Sequence, residues 1–133
     1  MRICILIFLV FVSFVFSQMI PPNQLATLMR YHKECQRKTG ISDNVAMGIA
    51  AGKFPNDPVL QNHLFCIHQK LGFQDQNGNL QKSVIASTIQ LALPTSMNAQ
   101  DMVDTCAVQS GSPGQTALDM DRCMFGMIRG SQG

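Results

Sequence analysis

Cysteines and histidines are the residues of this 133-residue chain whose types could carry chemistry; there are five and three of them. Cys4 lies in an apolar start, which leaves Cys35, Cys66, Cys106 and Cys123 for the rest of the chain. No two of these four cysteines have the close Cys-x2-Cys spacing that is typical of zinc sites. An even number in a small exported domain predicts two disulfides, with three pairings open from spacing alone.

The histidines do not form a metal site by their spacing. His63 and His68 are five positions apart, which turns them by about 140° around a helix, so one intact helix cannot direct both at one ion. His32 could approach either of them only through the fold. We therefore predict no metal and no cofactor.

Catalytic patterns are also lacking. A nucleophilic triad needs a free serine or cysteine beside an oriented histidine, and the chain has no Gly-x-Ser-x-Gly elbow. Glu34, the one glutamate, has no carboxylate partner for paired acid–base chemistry. The protein is therefore predicted not to be an enzyme.

The segment from Asp75 through Asn77 to Asn79 imitates the start of a calcium-binding loop. Such a loop needs glycine at its sixth position and a bidentate glutamate at its twelfth, where this chain has Leu80 and Ala86. The segment is therefore predicted to be a turn.

The chain begins with the features of a secretory signal. Arg2 precedes an apolar run from Ile3 to Phe16, and small residues end at Ser17. The alternative is a membrane anchor, but a spanning helix needs about 20 apolar residues. We predict a signal peptide at residues 1–17, a single domain at residues 18–133, and a secreted protein without stable membrane insertion.

The charge balance excludes one class of partner. Ten basic and eight acidic residues give a formal charge of +2, and most of the charges are scattered singly. A nucleic-acid-binding domain would need a clustered basic face. No nucleic-acid partner is predicted.

Apolar residues recur at helical rather than strand-like spacing, which predicts six short helices in an all-α bundle. The first follows Pro21–Pro22 and stops at Gly40; Ser42 or Asp43 caps the second, which ends near Gly52. Asp57–Pro58 opens the third, which ends at Gly72. The apolar stripes run through Leu25, Leu28, Met29, His32 and Cys35, through Val45, Ala46 and Ile49, and through Leu60, His63, Leu64, Ile67 and Leu71.

Three further helices are predicted in the C-terminal half. The fourth ends before Pro94, Ser96 or Asn98 caps the fifth, and Ser110 to Gly114 form a flexible break before the sixth. The stripes comprise Leu80, Val84, Ile85, Ile89 and Ala92, then Met102, Val103, Cys106 and Ala107, then Met120, Cys123, Met124, Met127 and Ile128.

The chain contains nine methionines and no tryptophan, so flexible apolar side chains are abundant. Methionine is flexible and polarizable, so it suits a cavity that accepts varied apolar shapes. The alternative is that these side chains simply fill a core.

The cysteine spacing resembles that of insect odorant-binding proteins. The family typically has six cysteines, with three residues between the second and third and eight between the fifth and sixth. Cys66 and Cys123 match the third and sixth, which puts the missing second and fifth at Asn62 and Gly114. Loss of both partners of one bridge is similar to the subgroup called minus-C, and the segment 70–80 resembles the family's loop into its fourth helix.

The resemblance implies two bridges, Cys35–Cys66 and Cys106–Cys123, and a compact bundle of six short helices around an apolar cavity. It implies a carrier of small hydrophobic ligands such as odorants or pheromones, monomeric or weakly dimeric, with a membrane chemoreceptor as a conceivable further partner. Aligned through the cysteines and, for the fourth helix, through its stripe, the residues expected to face the ligand are Leu28, Leu64, His68, Phe73, Val84, Ile85, Val103, Ala107, Met120 and Met124.

Two rival functions make different predictions. A secreted helical signalling or defence factor that acts on a receptor or partner surface predicts a solid core and an exposed apolar patch. A small enzyme predicts a polar cleft with converging ionisable groups. The polar tail after Arg129 is too short to insert into a cavity, so any pH response should involve His63 or His68.

Overall fold

A computed structural model describes residues 22–131, over which the chain forms six α-helices and, among these residues, no strand. The all-α class agrees with the prediction. The predicted signal peptide lies outside the described residues. The helices are α1 (Pro22–Thr39), α2 (Asp43–Ala50), α3 (Pro58–Leu71), α4 (Lys82–Gln90), α5 (Ala99–Cys106) and α6 (Pro113–Ser131).

Local capping fixes where several helices begin and end. The Asp57 carboxylate accepts the Val59 amide at 2.7 Å, and Gly72 ends α3 with a φ of 78°, in the left-handed region that glycine adopts readily. Of the alternative caps, Ser42 precedes α2 and accepts the Val45 amide, whereas Asn98 caps α5. The predicted starts of these helices are confirmed.

The predicted break from Ser110 to Gly114 is wrong in its second half, because α6 already begins at Pro113. The Ser112 hydroxyl accepts the Gln115 amide at 3.1 Å and its carbonyl accepts the Thr116 amide at 2.9 Å. Serine followed by proline is therefore a cap and first helical residue, the same signal as in the third helix.

Two disulfides staple the bundle, with the pairing that the resemblance implies. Cys35–Cys66 joins α1 to α3, and Cys106–Cys123 joins α5 to α6, with Cα–Cα distances of 5.8 and 5.5 Å. In the chain-entropy account each loop closure contributes about 3 to 4 kcal/mol. Helices this short depend on such tertiary restraints because they are marginal alone.

The buried apolar residues fall into two clusters. The methionine-rich cluster joins the α3–α4 connection to α4, α5 and α6, and the aliphatic cluster joins α3 and α6 to the connection between α1 and α2. The first contains Phe73, Ile85, Met102, Val103, Cys106, Ala107, Met120 and Met124, and the second contains Ile41, Leu60, Leu64, Ala117 and Leu118.

The α3–α6 contact is close at the position where the third family bridge is missing. A Cβ atom placed on Gly114 would lie 2.9 Å from Cβ of Gln61 and 3.2 Å from its backbone carbon. Asn62, the other position aligned with a lost cysteine, is exposed beside this contact. A glycine here lets the two helices pack directly, backbone against side chain.

Two predicted apolar stripes are less buried than their periodicity indicates. On α4, Val84 is 39% exposed, because the buried side of this short helix runs through Ile85 and Ile89 instead. Ala92, predicted to belong to the same stripe, lies in the turn after the helix and is exposed. On α1, Leu25 and Met29 are about half exposed. Along the described residues, no helix is long and apolar enough to cross a membrane.

Candidate ligand-binding cleft

A cleft of about 440 Å³, partly open to solvent, lies between the first half of α1 and the second half of α4. Its volume falls in the range of small-molecule sites. Residues from α1, the end of α3, the following connection, α4 and the turn after α4 line it: Gln24, Thr27, Leu28, Leu71, Phe73, Thr88, Ile89 and Ala92.

Helical periodicity places the two walls. Gln24, Thr27 and Leu28 are spaced i, i+3, i+4 and therefore share one face of α1. The other wall comes from Thr88 and Ile89 near the end of α4 and from Ala92 in the turn that follows this helix. The left-handed turn at Gly72 redirects the chain after α3, so that the residues on either side of it both reach the cleft.

The lining is apolar with a few uncharged polar groups. Five residues present aliphatic or aromatic surface, and three present an amide or a hydroxyl: Gln24, Thr27 and Thr88. No lining residue is charged. Such a surface gains free energy by removing apolar ligand area from water, and its few polar groups can orient the ligand.

Two of the residues expected to face a ligand line this cleft, Leu28 and Phe73. Five others lie with Phe73 in the methionine-rich cluster, against which the lining residues Leu71 and Ile89 also pack. They form the layer behind the cleft: Ile85, Val103, Ala107, Met120 and Met124.

The remaining three expected residues lie elsewhere. Leu64 is buried in the aliphatic cluster, Val84 is 39% exposed on α4 and is not part of the lining, and His68 occupies a polar network between α3 and α6. Leu64 and His68 were placed through the cysteines and Val84 through the apolar stripe of the fourth helix, and none of the three lines this cleft.

His68 is held as a cation by its partners. Its Nδ1 faces the Gln74 side-chain oxygen at 2.8 Å, and its Nε2 faces the Asp121 carboxylate at 2.9 Å. The Gln74 amide nitrogen donates to two carbonyls, of Gly78 and Pro113, which fixes the orientation of that amide. Both ring nitrogens therefore have to donate, which requires the doubly protonated ring.

The pKa of His68 follows from this geometry. Burial opposes the charged ring most strongly, but the charge and hydrogen bonds of Asp121 and the bond to Gln74 raise the pKa above 6.5. The ring also packs edge-on against Phe73, with 5.6 Å between centroids. The ion pair thus supports a residue that lines the cleft.

His63 is held neutral by a different set of partners. The Thr39 hydroxyl donates to the Cys35 carbonyl at 2.9 Å, so it accepts a hydrogen bond from His63 Nδ1 at 3.2 Å. His63 Nε2 must then accept from His32 Nδ1 at 3.0 Å. Burial, and secondly the neighbouring His32, lower the pKa of His63 to about 4.

No group within residues 22–131 brings together three or more potential metal ligands. Every buried side-chain nitrogen or oxygen in the same part of the chain has a hydrogen-bond partner. The segment from Asp75 to Asn79, which imitates the start of a calcium-binding loop, is a turn, as predicted. One Asp75 carboxylate oxygen accepts hydrogen bonds from the backbone amides of Asn77 and Asn79 at 2.9 Å. The polar groups are thus engaged in the fold.

Most of the residues that line the cleft were not among those expected to face a ligand. Gln24 and Thr27 share a helix face with Leu28, so helical spacing could have indicated them. Thr88 carried no signal, since its place depends on how far α1 lies from α4.

The sequence and fold are similar to those of known proteins. The chain matches the PBP/GOBP family over residues 17–126. It belongs to that family. Among curated relatives it is similar to the "B1 protein" of Tenebrio molitor, with 25% identity over 108 residues that cover 81% of this chain and 83% of the relative.

Solved structures of PBP/GOBP-like proteins share the helical architecture. "Apis mellifera odorant binding protein 5" has a TM-score of 0.69 at 21% identity, covering 81% of this chain and 92% of that one. The "THP12-carrier protein from yellow meal worm" has a TM-score of 0.58 at 27% identity, covering 68% and 83%. Membership in the PBP/GOBP family supports a carrier of small ligands, and the family is not one of enzymes.

Proposed function

We propose that this protein is a secreted carrier that binds small hydrophobic ligands, such as odorants, pheromones or similar signalling molecules, in the cleft between α1 and α4. The single observation that carries the proposal is an uncharged, mostly apolar cleft of about 440 Å³ in a chain of the PBP/GOBP family. Residues 1–17 would be removed as a signal peptide on secretion.

The physical basis is transfer of the ligand from water. Each buried CH₂ group contributes about 0.8 kcal/mol, from which the costs of immobilising the ligand are subtracted. Leu28 and Phe73 would make the first contacts. Behind them, Met120 and Met124 belong to the methionine-rich cluster, and their flexible side chains would let the site adapt to ligand shape.

The cysteine pattern suggests where this carrier differs from six-cysteine members of its family. With Asn62 and Gly114 in place of a bridge, it fits the minus-C subgroup, and α3 and α6 are joined here by packing and by polar contacts such as the His68–Asp121 ion pair. The observed cleft favours a carrier over a helical signalling factor, for which a solid interior was expected.

The proposal is tested by titrating the folded protein with the fluorescent hydrophobic probe N-phenyl-1-naphthylamine and displacing it with volatiles and fatty-acid derivatives. Ala92→Trp fills the cleft from an exposed position and should weaken probe binding by at least about tenfold. Ala26→Trp, at an exposed α1 position outside the lining, is the matched control and should leave binding unchanged. Equal binding by both variants would contradict the proposed site.

A further inference from the structure

We propose that Asn77 is a site of spontaneous modification. Its side-chain amide is lost after attack by the backbone nitrogen of Gly78, which leaves aspartate or isoaspartate at position 77. The isoaspartate product then breaks hydrogen bonds that hold this turn against the α3–α6 junction. The turn lies outside the lining of the ligand cleft, so the reaction is a property of the protein separate from ligand binding.

Asn77 differs from every other asparagine of the chain in the residue that follows it. The chain has seven asparagines, and only Asn77 precedes a glycine. Asparagine is one of the chemically labile residues of proteins. Glycine has no Cβ, so its backbone nitrogen is the least hindered one that can attack a preceding side chain. The sequence therefore concentrates this chemistry at one dipeptide.

The group to be attacked is free in the folded protein. Asn77 is exposed, and its side-chain amide makes no hydrogen bond within residues 22–131. The side chain of Asn79, in the same turn, donates instead to the Asp75 carboxylate at 3.1 Å. The attacking Gly78 amide donates to the Asp75 carbonyl at 3.0 Å, a contact inside the turn. Local opening of the turn releases this nitrogen, and such openings cost much less than global unfolding.

The fold keeps glycine at position 78. Its φ is 87°, in the left-handed region, and a Cβ there would lie 2.5 Å from the Pro113 ring at the start of α6. A bulkier residue, which would hinder the attack, is therefore excluded by backbone conformation and by packing. The reactive dipeptide follows from the close approach of the turn to α6.

The reaction needs only water. The Gly78 nitrogen forms a bond to Cγ of Asn77, the bond from Cγ to Nδ2 breaks, and Nδ2 leaves as ammonia with the proton of the Gly78 amide. Water then opens the resulting cyclic imide at one of its carbonyl carbons. Opening at Cγ gives aspartate and restores the original backbone. Opening at the backbone carbonyl gives isoaspartate, in which the main chain runs through Cβ and Cγ and gains one carbon atom.

The isoaspartate product displaces a carbonyl on which the fold depends. The Gly78 carbonyl accepts hydrogen bonds from Gln74 Nε2 at 3.1 Å and from Gln109 Nε2 at 3.0 Å. Gln74 is buried, and its side-chain oxygen faces His68 Nδ1 at 2.8 Å. An extra main-chain atom next to Gly78 moves its carbonyl away from these donors, and a buried donor without an acceptor is destabilising. Aspartate, with its normal backbone, leaves the carbonyl in place.

The first arm of the test follows the reaction in the folded protein during incubation at mildly alkaline pH. Peptide mapping by mass spectrometry locates each amide loss, and an isoaspartate-specific carboxyl methyltransferase measures the isoaspartate. Asn77 should convert first, with isoaspartate among the products, while Asn79 and Asn98 keep their amides. Asn77→Gln is the matched control and should stay unmodified. If Asn77 reacts no faster than Asn79 and Asn98, the proposed site is wrong.

The second arm separates the two products. Freshly prepared Asn77→Asp represents the aspartate product, and its Gln74 side-chain amide and His68 ring should give the NMR signals of the unmodified protein. The incubated protein should show new signals for both groups, in proportion to its isoaspartate content, and a melting temperature lower by about 4 °C. Asn77→Gln, incubated alike, controls for other damage. Unchanged Gln74 and His68 signals in protein that contains isoaspartate would overturn the coupling to the α3–α6 junction.

Discussion

Two histidines on α3 differ in charge although both are fully or almost fully buried. His63 lies at the α1–α3 junction and its pKa is lowered to about 4, whereas His68 lies at the α3–α6 junction and its pKa is raised. Burial alone would keep both rings neutral. The difference comes from their partners, a hydroxyl and a second imidazole for His63, and a carboxylate and an amide oxygen for His68.

The two junctions also hold different parts of the cleft. The His63 network ties α1, which supplies one wall, to α3 next to the Cys35–Cys66 bridge. The His68 ion pair ties α3 to α6 and supports Phe73 in the floor. Opposite protonation states therefore stabilise the two junctions in opposite pH ranges.

The largest expected effect is the loss of stability in acid that arises from His63. Its folded-state pKa lies below the unfolded value, so its stabilisation is complete above pH 6.5 and is lost as the pH falls towards about 4. The contribution is about 3 kcal/mol. Denaturant unfolding across this pH range measures the loss. The free energy of unfolding of a His63→Leu variant should fall less steeply as the pH is lowered.

The stability that His68 contributes changes with pH in the opposite direction. Its folded-state pKa is raised, so its stabilisation is complete below pH 6.5 and is lost as the pH rises through the folded value. NMR titration of both imidazoles in one sample separates the two groups. Two rings that titrate together near 6.5 would contradict the assigned networks.

Removing the counter-ion of His68 should be the next largest effect. Asp121→Asn leaves a buried imidazole without its carboxylate, which costs about 2 to 3 kcal/mol of unfolding free energy near pH 6 and drops the pKa of His68 below 6.5. Asp104→Asn, at an exposed position, is the control and should change stability by less than about 0.5 kcal/mol. An unchanged His68 pKa in Asp121→Asn would refute the ion pair.

The His63 junction can be weakened through its hydroxyl. Thr39→Val removes the acceptor of His63 Nδ1, and we expect a loss of about 2 kcal/mol above pH 6.5. Thr105→Val is a close control, because Thr105 also donates to the carbonyl four residues earlier but is exposed. Equal thermal stability of the two variants would show that the His63 bond contributes nothing.

The smallest effect concerns the direct packing at the His68 junction. Gly114→Ala forces a Cβ against Gln61 and should cost about 1 to 2 kcal/mol, even though alanine favours a helix. Gly126→Ala, in the same helix with open space around it, should instead gain about 0.5 to 1 kcal/mol. Gains in both variants would mean that α3 and α6 are not in close contact.

Features encoded within one segment were predictable from the sequence. The caps at Ser42, Asp57 and Asn98 and the stops at Gly40 and Gly72 are local chemistry, and the bridges followed from family spacing. The Ser112–Pro113 start was equally local and was missed.

Features that depend on the packing of distant segments were not predictable. The charge of His68 depends on Asp121, which is 53 residues away. Periodicity placed both Ile85 and Val84 on the buried face of α4, yet Val84 is 39% exposed. Helical spacing does not show how much of an apolar face the neighbouring helices cover. The cleft wall at Thr88 arises only from the spacing of two helices.

Methyl and aromatic NMR of the protein titrated with decan-1-ol tests the central claim, ligand binding in the α1–α4 cleft, most directly. Resonances of Leu28, Leu71, Phe73 and Ile89 should shift together and saturate, while Ile41 and Leu118 in the aliphatic cluster stay fixed. Saturable shifts centred on the aliphatic cluster, or no saturable shift at all, would contradict a ligand-binding cleft between α1 and α4.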